Sequence, residues 1–263
     1  MHSKFFALAA AFVAAHSAAV PEPSSTISSG HGLPPGFVAA KGGALDLPPP
    51  RPTGKADLAD AAAYWADIMT ITYANRDIDD IHLVHRLGDK SPAALQPMDE
   101  DARIRVGDEQ VVRYPGQFHG ATFVNLARFI MTEQDETVVE MSFQNQNRGF
   151  PVGDVDVSYV NGFSRPVSCV CKENNITAGC STYLWNYNTC PNDNWQGSCR
   201  NDKRWEKDAT SPLEFFSPCH FHGGAFTYPR DDANTLNQRC PSEDYWCCIG
   251  ASDECTRLNN NPR

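Results

Sequence analysis

The chain has 263 residues, ten cysteines and a formal net charge of −10 at pH 7. Nucleic acids and anionic lipids require clustered Lys and Arg side chains, so this acidic balance excludes both as expected partners. Neutral polymers, cations and basic proteins remain, and no cofactor is expected.

The first 19 residues have the pattern of a secretory signal peptide. Lys4 supplies a positive charge, residues 5–15 form an apolar run too short to span a bilayer, and small residues at 17–19 offer a cleavage site. We therefore expect a secreted, extracellular protein that does not bind membranes. Residues 20–60 are rich in Pro, Ser and Gly, a composition that predicts a linker or propeptide.

A β domain is predicted over residues 61–255, followed by a tail at 256–263. An Ala-rich run at 56–68 is compatible with either a short helix or an entry into the first strand. Runs of β-branched and aromatic residues between turn signals then predict strands at 69–75, 81–87, 109–115, 120–131, 137–143 and 154–160. Short connections and little helix favour an all-β fold, an antiparallel β-sandwich, and we expect a monomer.

The last predicted strand shows the period of two. Asp154 and Asp156 fall on one face, and Val155 and Val157 fall on the other. The dipeptide Asn161-Gly162 follows, and it favours a tight hairpin with two positive φ angles. Asp156 either keeps the solvent-exposed face of a sheet soluble or belongs to an acidic binding surface.

The cysteines are crowded into the last third of the chain, which we interpret as a disulfide-rich loop region centred on residues 169–219. Behind a signal peptide, and without a paired C-x-x-C motif, they predict disulfides rather than a zinc site. Their connectivity stays open, but the adjacent Cys247 and Cys248 are expected to bond to different partners. The ten are Cys169, Cys171, Cys180, Cys190, Cys199, Cys219, Cys240, Cys247, Cys248 and Cys255.

Three motifs follow one another in the second half of the chain: TVVEMSFQ at 137–144, DVDVSYVNGFSRPVSC at 154–169 and FFSPCHFHGGAFTYPRDDANT at 215–235. Their order resembles that of the thaumatin-like family, which includes the osmotins. The resemblance covers roughly residues 68–250. It implies a flattened β-sandwich with disulfide-rich loops and a cleft between core and loops.

In that family the cleft is lined by an Arg, a Glu and three Asp residues. The resemblance implies that Glu140 takes the Glu position and Asp156 the first Asp position. Asp231 takes the last Asp position, with Asp232 as its neighbour. The middle Asp position falls on the uncharged Asn161.

The Arg position of the cleft has two candidates, Arg113 and Arg128. Tyr159 and Phe163 are expected beside the cleft, where a ring face can stack on a sugar ring. Four more aromatic residues interleave with Asn and Cys in the loop region, and they either bind sugar or pack over the disulfides as a small satellite core. They are Tyr183, Trp185, Tyr187 and Trp195.

Two further features have side chains that could form sites. His220 and His222 alternate along the chain but have no evident third ligand, so no metal is expected. Asn175 begins the sequon Asn-Ile-Thr, which predicts glycosylation in a secreted protein.

These observations favour a secreted binder of cell-wall carbohydrate, of the β-1,3-glucan type that the resemblance implies, with an antifungal, defence or virulence role. One alternative is a weak endo-β-1,3-glucanase in which Glu140 and Asp156 are catalytic. Hydrolysis is disfavoured because Asn161 and the unassigned Arg remove charges that would set the pKa values of an acid and a base. The other alternative is an effector that contacts a host or competitor protein through its loops.

Overall fold

The computed structural model describes residues 68–95, 101–145, 151–232, 235–237 and 239–258. The predicted signal peptide, the predicted linker and the Ala-rich run up to residue 67 lie outside these ranges. The same holds for residues 259–263 of the predicted tail.

Twelve strands and one α-helix form within the described residues. The strands are β1 Ile68–Asn75, β2 Ile81–Leu87, β3 Asp101–Ile104, β4 Glu109–Pro115, β5 Phe118–Leu126, β6 Thr137–Asn145, β7 Pro151–Ser158, β8 Gly162–Phe163, β9 Val167–Cys171, β10 Thr177–Cys180, β11 Cys199–Arg200 and β12 Asp244–Ile249. The helix is α1 Asp253–Leu258, and 3-10 helices form at Leu184–Asn186, Asp202–Trp205 and Glu214–Cys219. In the part of the chain described, no helix has the length and apolar character needed to cross a membrane.

The strands form two five-stranded sheets and one small ribbon. The first sheet has the order β10-β9-β12-β1-β4, the second has the order β3-β2-β5-β6-β7, and the ribbon joins β11 to β8. The predicted all-β class is therefore confirmed, and each of the six predicted strands is present. Between these named strands, every pairing is antiparallel except that of β1 with β12.

The core lies between the inner faces of the two large sheets. Alternate residues of β1, Ile71 and Tyr73, are fully buried, as is Val139 of β6 in the opposite sheet. The Tyr73 hydroxyl lies 2.9 Å from Oγ1 of Thr122 on β5, so a hydrogen bond joins the sheets inside the core. The strand period of two thus places one set of side chains inside and leaves the other set on the outer faces.

Five disulfides connect all ten cysteines, which confirms the predicted framework. The pairs are Cys169–Cys247, Cys171–Cys240, Cys180–Cys219, Cys190–Cys199 and Cys248–Cys255. Cys247 and Cys248 have different partners, as expected. Such a framework is typical of proteins that fold in an oxidising compartment.

Two local features differ from the sequence-based expectations. Asn161-Gly162 does not form a hairpin turn, because neither residue has a positive φ. Gly162 instead begins β8, where a Cβ atom would collide with the backbone oxygens of Asp135 and Cys199. The region 169–219 is not only loop, since it also contains β10 and most of β9.

Candidate acidic site on the outer face of the second sheet

Glu140 and Asp156 lie directly opposite each other on β6 and β7. One step along the same ladder, on the same side, Asp154 lies opposite Ser142. Directly opposed residues share a face of an antiparallel sheet. Val139 precedes Glu140, Val155 lies between Asp154 and Asp156, and both Val side chains point into the core. The three acids therefore lie on the outer face of the second sheet.

The carboxyl groups of Glu140 and Asp156 hydrogen-bond to each other. Two carboxyl groups can bond in this way only when one of them carries a proton. Asp154, two residues before Asp156, hydrogen-bonds to Thr235. We refer to Glu140, Asp154 and Asp156 as the acid cluster.

The local environment favours the protonated forms in this cluster. Burial raises the pKa of Asp156 well above its ordinary value, and the charges of Glu140 and Asp154 raise it further. Burial also raises the pKa of Asp154, to about 6, against the opposing effect of its bond to Thr235. The pKa of Glu140 is also raised, because the surrounding protein displaces part of the water around its carboxyl group, and the bond to Asp156 opposes this rise.

The three side chains differ in exposure. Glu140 is exposed to solvent, whereas Asp154 and Asp156 are half-buried. One carboxylate oxygen of each Asp is shielded from solvent and has no hydrogen-bond partner among the described residues. Since water stabilises a charge on Glu140 better than on Asp156, we assign the shared proton to Asp156.

Arg86 lies in the same row as the acid pair. It is opposite Ala121 of β5, and Ala121 is in turn opposite Glu140, so Arg86 shares the outer face about 10 Å from Glu140, two strand spacings away. Its guanidinium forms a two-pronged ion pair with Glu133, with both N–O distances at 2.6 Å.

The two Arg residues suggested by the sequence lie elsewhere. Arg113 is on β4, in the first sheet. Arg128 follows β5 and forms an exposed ion pair with Asp79 at 2.9 Å. Alternation along the predicted strand at 81–87 places Arg86 on the outer face of the sheet. Which residues lie beside Arg86 depends on the pairing of strands, which no local sequence pattern determines.

Asp231 is close to β7 in the fold but is bonded within its own loop. Its side chain is fully buried, and its Oδ2 accepts hydrogen bonds from the backbone N–H of Thr227 at 2.7 Å and from the Thr227 hydroxyl at 2.6 Å. Nδ1 of His220 lies 3.2 Å from the same oxygen, a contact that raises the pKa of His220. Asp232 is exposed.

The segment that carries Asp231 runs beside β7. Phe226 forms a parallel bridge with Ser158, and the N–H of Leu236 donates to the carbonyl oxygen of Val155. Asp231 therefore lies near the strand of Asp156, but its bonds to Thr227 hold the loop in shape.

Tyr159 and Phe163 are not part of any open surface. Both side chains are fully buried, and their rings meet edge to face at 5.1 Å. The Tyr159 hydroxyl donates to the carbonyl oxygen of Cys180 at 3.0 Å. The expectation that these rings stack on sugar is corrected, because neither ring face is accessible. Asn161 is half-buried, and its carbonyl oxygen accepts a bond from the N–H of Asn201.

The loop aromatics divide between the two alternatives. Tyr183 and Trp185 are half-buried against the core: Arg165 donates to the Tyr183 hydroxyl, and Trp185 packs edge to face on Phe215 at 5.4 Å. Tyr187 and Trp195 are instead 67 % and 82 % exposed. The first pair fits the satellite core, and the second pair remains available for a ligand.

The structure also gives the positions of the predicted glycosylation sequon and of His220. Asn175 is exposed in the turn between β9 and β10 and has a φ of 58°; its glycosylation stays a prediction. His220 contacts Asp231, as described above. Within the described ranges, no three His, Cys, Asp or Glu side chains are grouped in a way that could hold a metal ion.

No protein-family model matches the sequence, and no curated protein matches it either. Among solved structures, one similar chain is a laminaripentaose-producing β-1,3-glucanase in complex with laminaritetraose. The identity is 14 %, the match covers 43 % of this chain and 41 % of that chain, and the TM-score is 0.26. This chain thus matches less than half of the glucanase, and no functional conclusion rests on the likeness.

Proposed function

We propose that the protein is a secreted, thaumatin-like carbohydrate-binding protein that holds a neutral cell-wall glycan of the β-1,3-glucan type at the acid cluster. The observation that carries this proposal is the hydrogen-bonded pair of Glu140 and Asp156 on the outer face of the second sheet. A pair of acids that only kept the sheet soluble would gain most by staying apart and fully hydrated, since like charges repel.

The protonation state of the pair suits sugar hydroxyls. A hydroxyl group is both a donor and an acceptor, and a carboxyl pair with one proton offers both functions at one place. Asp154 adds a further acceptor next to the pair. Binding of a neutral polymer also agrees with the acidic balance of the chain, because no phosphate or sulfate needs to be neutralised.

The geometry favours binding over hydrolysis for this pair. Glycosidases place their two carboxyl groups about 5 Å apart for retention or about 6.5 to 9.5 Å apart for inversion. Glu140 and Asp156 are directly opposed on adjacent strands, with their Cβ atoms about 4.5 to 5.5 Å apart. Because the two carboxyl groups are hydrogen-bonded and share a proton, neither acts as an independent acid or nucleophile.

Retention on insoluble β-1,3-glucan tests the proposal. We expect Glu140→Gln and Asp156→Ala each to reduce the retained fraction at least tenfold, because the first replaces a carboxylate acceptor by an amide donor and the second removes the carboxyl group that carries the proton. Asp208→Asn is the matched control, since the Asp208 side chain is 89 % exposed and forms a surface pair with Arg230. The control should bind like the wild type.

Other outcomes would replace the proposal. Equal retention of all four proteins would mean that the acid cluster is not the binding site. Release of reducing ends from soluble glucan, lost in Glu140→Gln, would indicate a glucanase. Failure of the wild type to bind glucan, together with capture of one specific protein, would indicate the effector.

A further inference from the structure

A shallow, open depression with a volume of about 430 Å³ lies in the disulfide-rich region, away from the acid cluster in sequence, and we refer to it as the cleft. Its volume falls within the roughly 300 to 1,000 Å³ of small-ligand sites, and its open side leaves room for a polymer chain to pass. The side chains that line it come from one short segment and from the loop closed by Cys190–Cys199; they include Trp185, Asn186, Tyr187, Asn188, Thr189 and Asp193.

The lining combines aromatic and polar groups and carries one negative charge. Two aromatic rings lie beside two amides and a hydroxyl, and Asp193 is the one carboxylate. No Lys, Arg or His belongs to this lining, all of which is described. A phosphate or another anion would therefore meet no cation, and a lipid tail would have to cover several polar groups without satisfying them.

The walls of the cleft are held in place by the fold. Trp185 is fixed against Phe215, and the side-chain amide of Asn188 donates to the carbonyl oxygen of Glu214 at 2.8 Å. Oδ1 of Asp193 accepts the backbone N–H of Trp195 at 2.8 Å. A site that is ordered before binding loses less conformational entropy when the ligand arrives.

Tyr187 is the element of the cleft that is most open to a ligand. Its side chain is 67 % exposed, although an aromatic ring normally gains by burial. A pyranose ring has an apolar face of C–H groups and a rim of hydroxyls, so it can cover an aromatic ring while its hydroxyls bond to neighbouring amides and carboxylates. The cleft offers both kinds of group within one volume.

We propose that this cleft is a second glycan-binding site, which takes one or two pyranose units of a neutral oligosaccharide. Tyr187 provides the stacking surface, and Asn186 and Asp193 bond to hydroxyl groups. The identification of the glycan as β-1,3-glucan rests on the proposed function, but the cleft's preference for neutral sugars does not. Two weak sites on one molecule would bind a long polymer more tightly than a short one.

Calorimetric titration with neutral pentasaccharides tests this site apart from the first. The probes are β-1,3-linked glucose, β-1,4-linked N-acetylglucosamine and α-1,6-linked mannose. The protein is the full secreted chain with Glu140→Gln and Asp156→Ala, which disables the acid cluster. We expect this double variant to retain binding of at least one probe, and adding Tyr187→Ala to weaken that binding at least tenfold.

Trp205→Ala is the matched control, because Trp205 is 75 % exposed but does not line the cleft. It should leave the affinity unchanged, and near-ultraviolet circular dichroism should show that every variant is folded. In amide NMR spectra, the shifts caused by the probe should concentrate at residues 185–193.

The outcomes separate the two proposals. Loss of all probe binding in the double variant overturns the proposal of a second site and is consistent with glycan binding at the acid cluster. Equal weakening by Tyr187→Ala and Trp205→Ala also overturns it, since it indicates general adhesion of exposed rings. Binding of β-1,3-glucan that depends on Tyr187 but not on Glu140 or Asp156 overturns the proposed function and supports the cleft.

Discussion

Removal of the Cys180–Cys219 disulfide by a double substitution to Ala should lower the free energy of unfolding by about 3.7 kcal/mol. The bond joins β10 to the 3-10 helix at Glu214–Cys219 across a sequence separation of 39 residues, and the Cys190–Cys199 bond inside it shortens the closed loop to about 30 residues. A cross-link that closes a long loop restricts the unfolded chain strongly, so its loss stabilises the unfolded state. Denaturant titration followed by tryptophan fluorescence measures the change.

The Cys248–Cys255 bond provides the control, because its sequence separation is only 7 residues. Its removal should cost about 2.5 kcal/mol on the same basis. All four cysteines are fully buried, so the loss of packing is similar in both variants and largely cancels in the comparison. Equal losses from the two variants would show that loop length does not determine the contribution of these bonds.

The contribution of the acid cluster to the free energy of unfolding should fall as the pH rises from 4 to 7, while buried His85, whose pKa is lowered to about 4, adds stability over the same interval. The pKa of Asp154 is about 6 in the folded protein, against about 3.9 in an unfolded chain. At Asp154 the folded state therefore binds more protons in this interval, and the stability from this group, which is complete below pH 4, is lost as the pH rises through 6. For Asp154 alone the loss amounts to roughly 3 kcal/mol, and Asp156 acts in the same direction.

Asp154→Asn and Asp156→Asn test the origin of this pH dependence. Each substitution keeps the shape of the side chain and removes a group whose ionisation is unfavourable in the fold, so each variant should be more stable than the wild type at pH 7. Between pH 4 and 7 the stability of each variant should also rise more, or fall less, than that of the wild type. Urea titrations at pH 4, 5, 6 and 7 measure both, and a wild type whose slope matches that of both variants would contradict the assigned environment.

The local parts of the fold could be predicted from the sequence. The strand at 81–87 has the predicted bounds, and the alternation at 154–160 places Asp154 and Asp156 outside and Val155 and Val157 inside, as expected. Such patterns depend only on neighbouring residues and on the period of a strand. The pairing of β1 with β12 could not be predicted from local patterns, because it joins residues from opposite ends of the described chain.

In the candidate site, too, some features could be predicted from the sequence and others depend on contacts between distant segments. The resemblance assigned Glu140 and Asp156 to one cleft, and the structure places them directly opposite each other on β6 and β7. Alternation places Tyr159 on the same face as Val155 and Val157, and the structure buries it there beneath Cys180 and the segment around Phe226. The wrong expectation of an accessible ring came from the resemblance, against the phase of the strand. Arg86 was missed because its row is set by the pairings of β2 with β5 and of β5 with β6.

The central claim is that glycan contacts the proton-sharing carboxyl pair. Its most direct test is carboxyl ¹³C NMR of Glu140 and Asp156 during a pH titration, with and without a saturating β-1,3-linked glucose pentasaccharide. The account predicts that the ligand changes the chemical shifts and the pKa values of both groups, while the exposed Asp208 is unaffected. Identical titration curves for Glu140 and Asp156 in the two samples, with calorimetry proving that the sugar is bound, would contradict it.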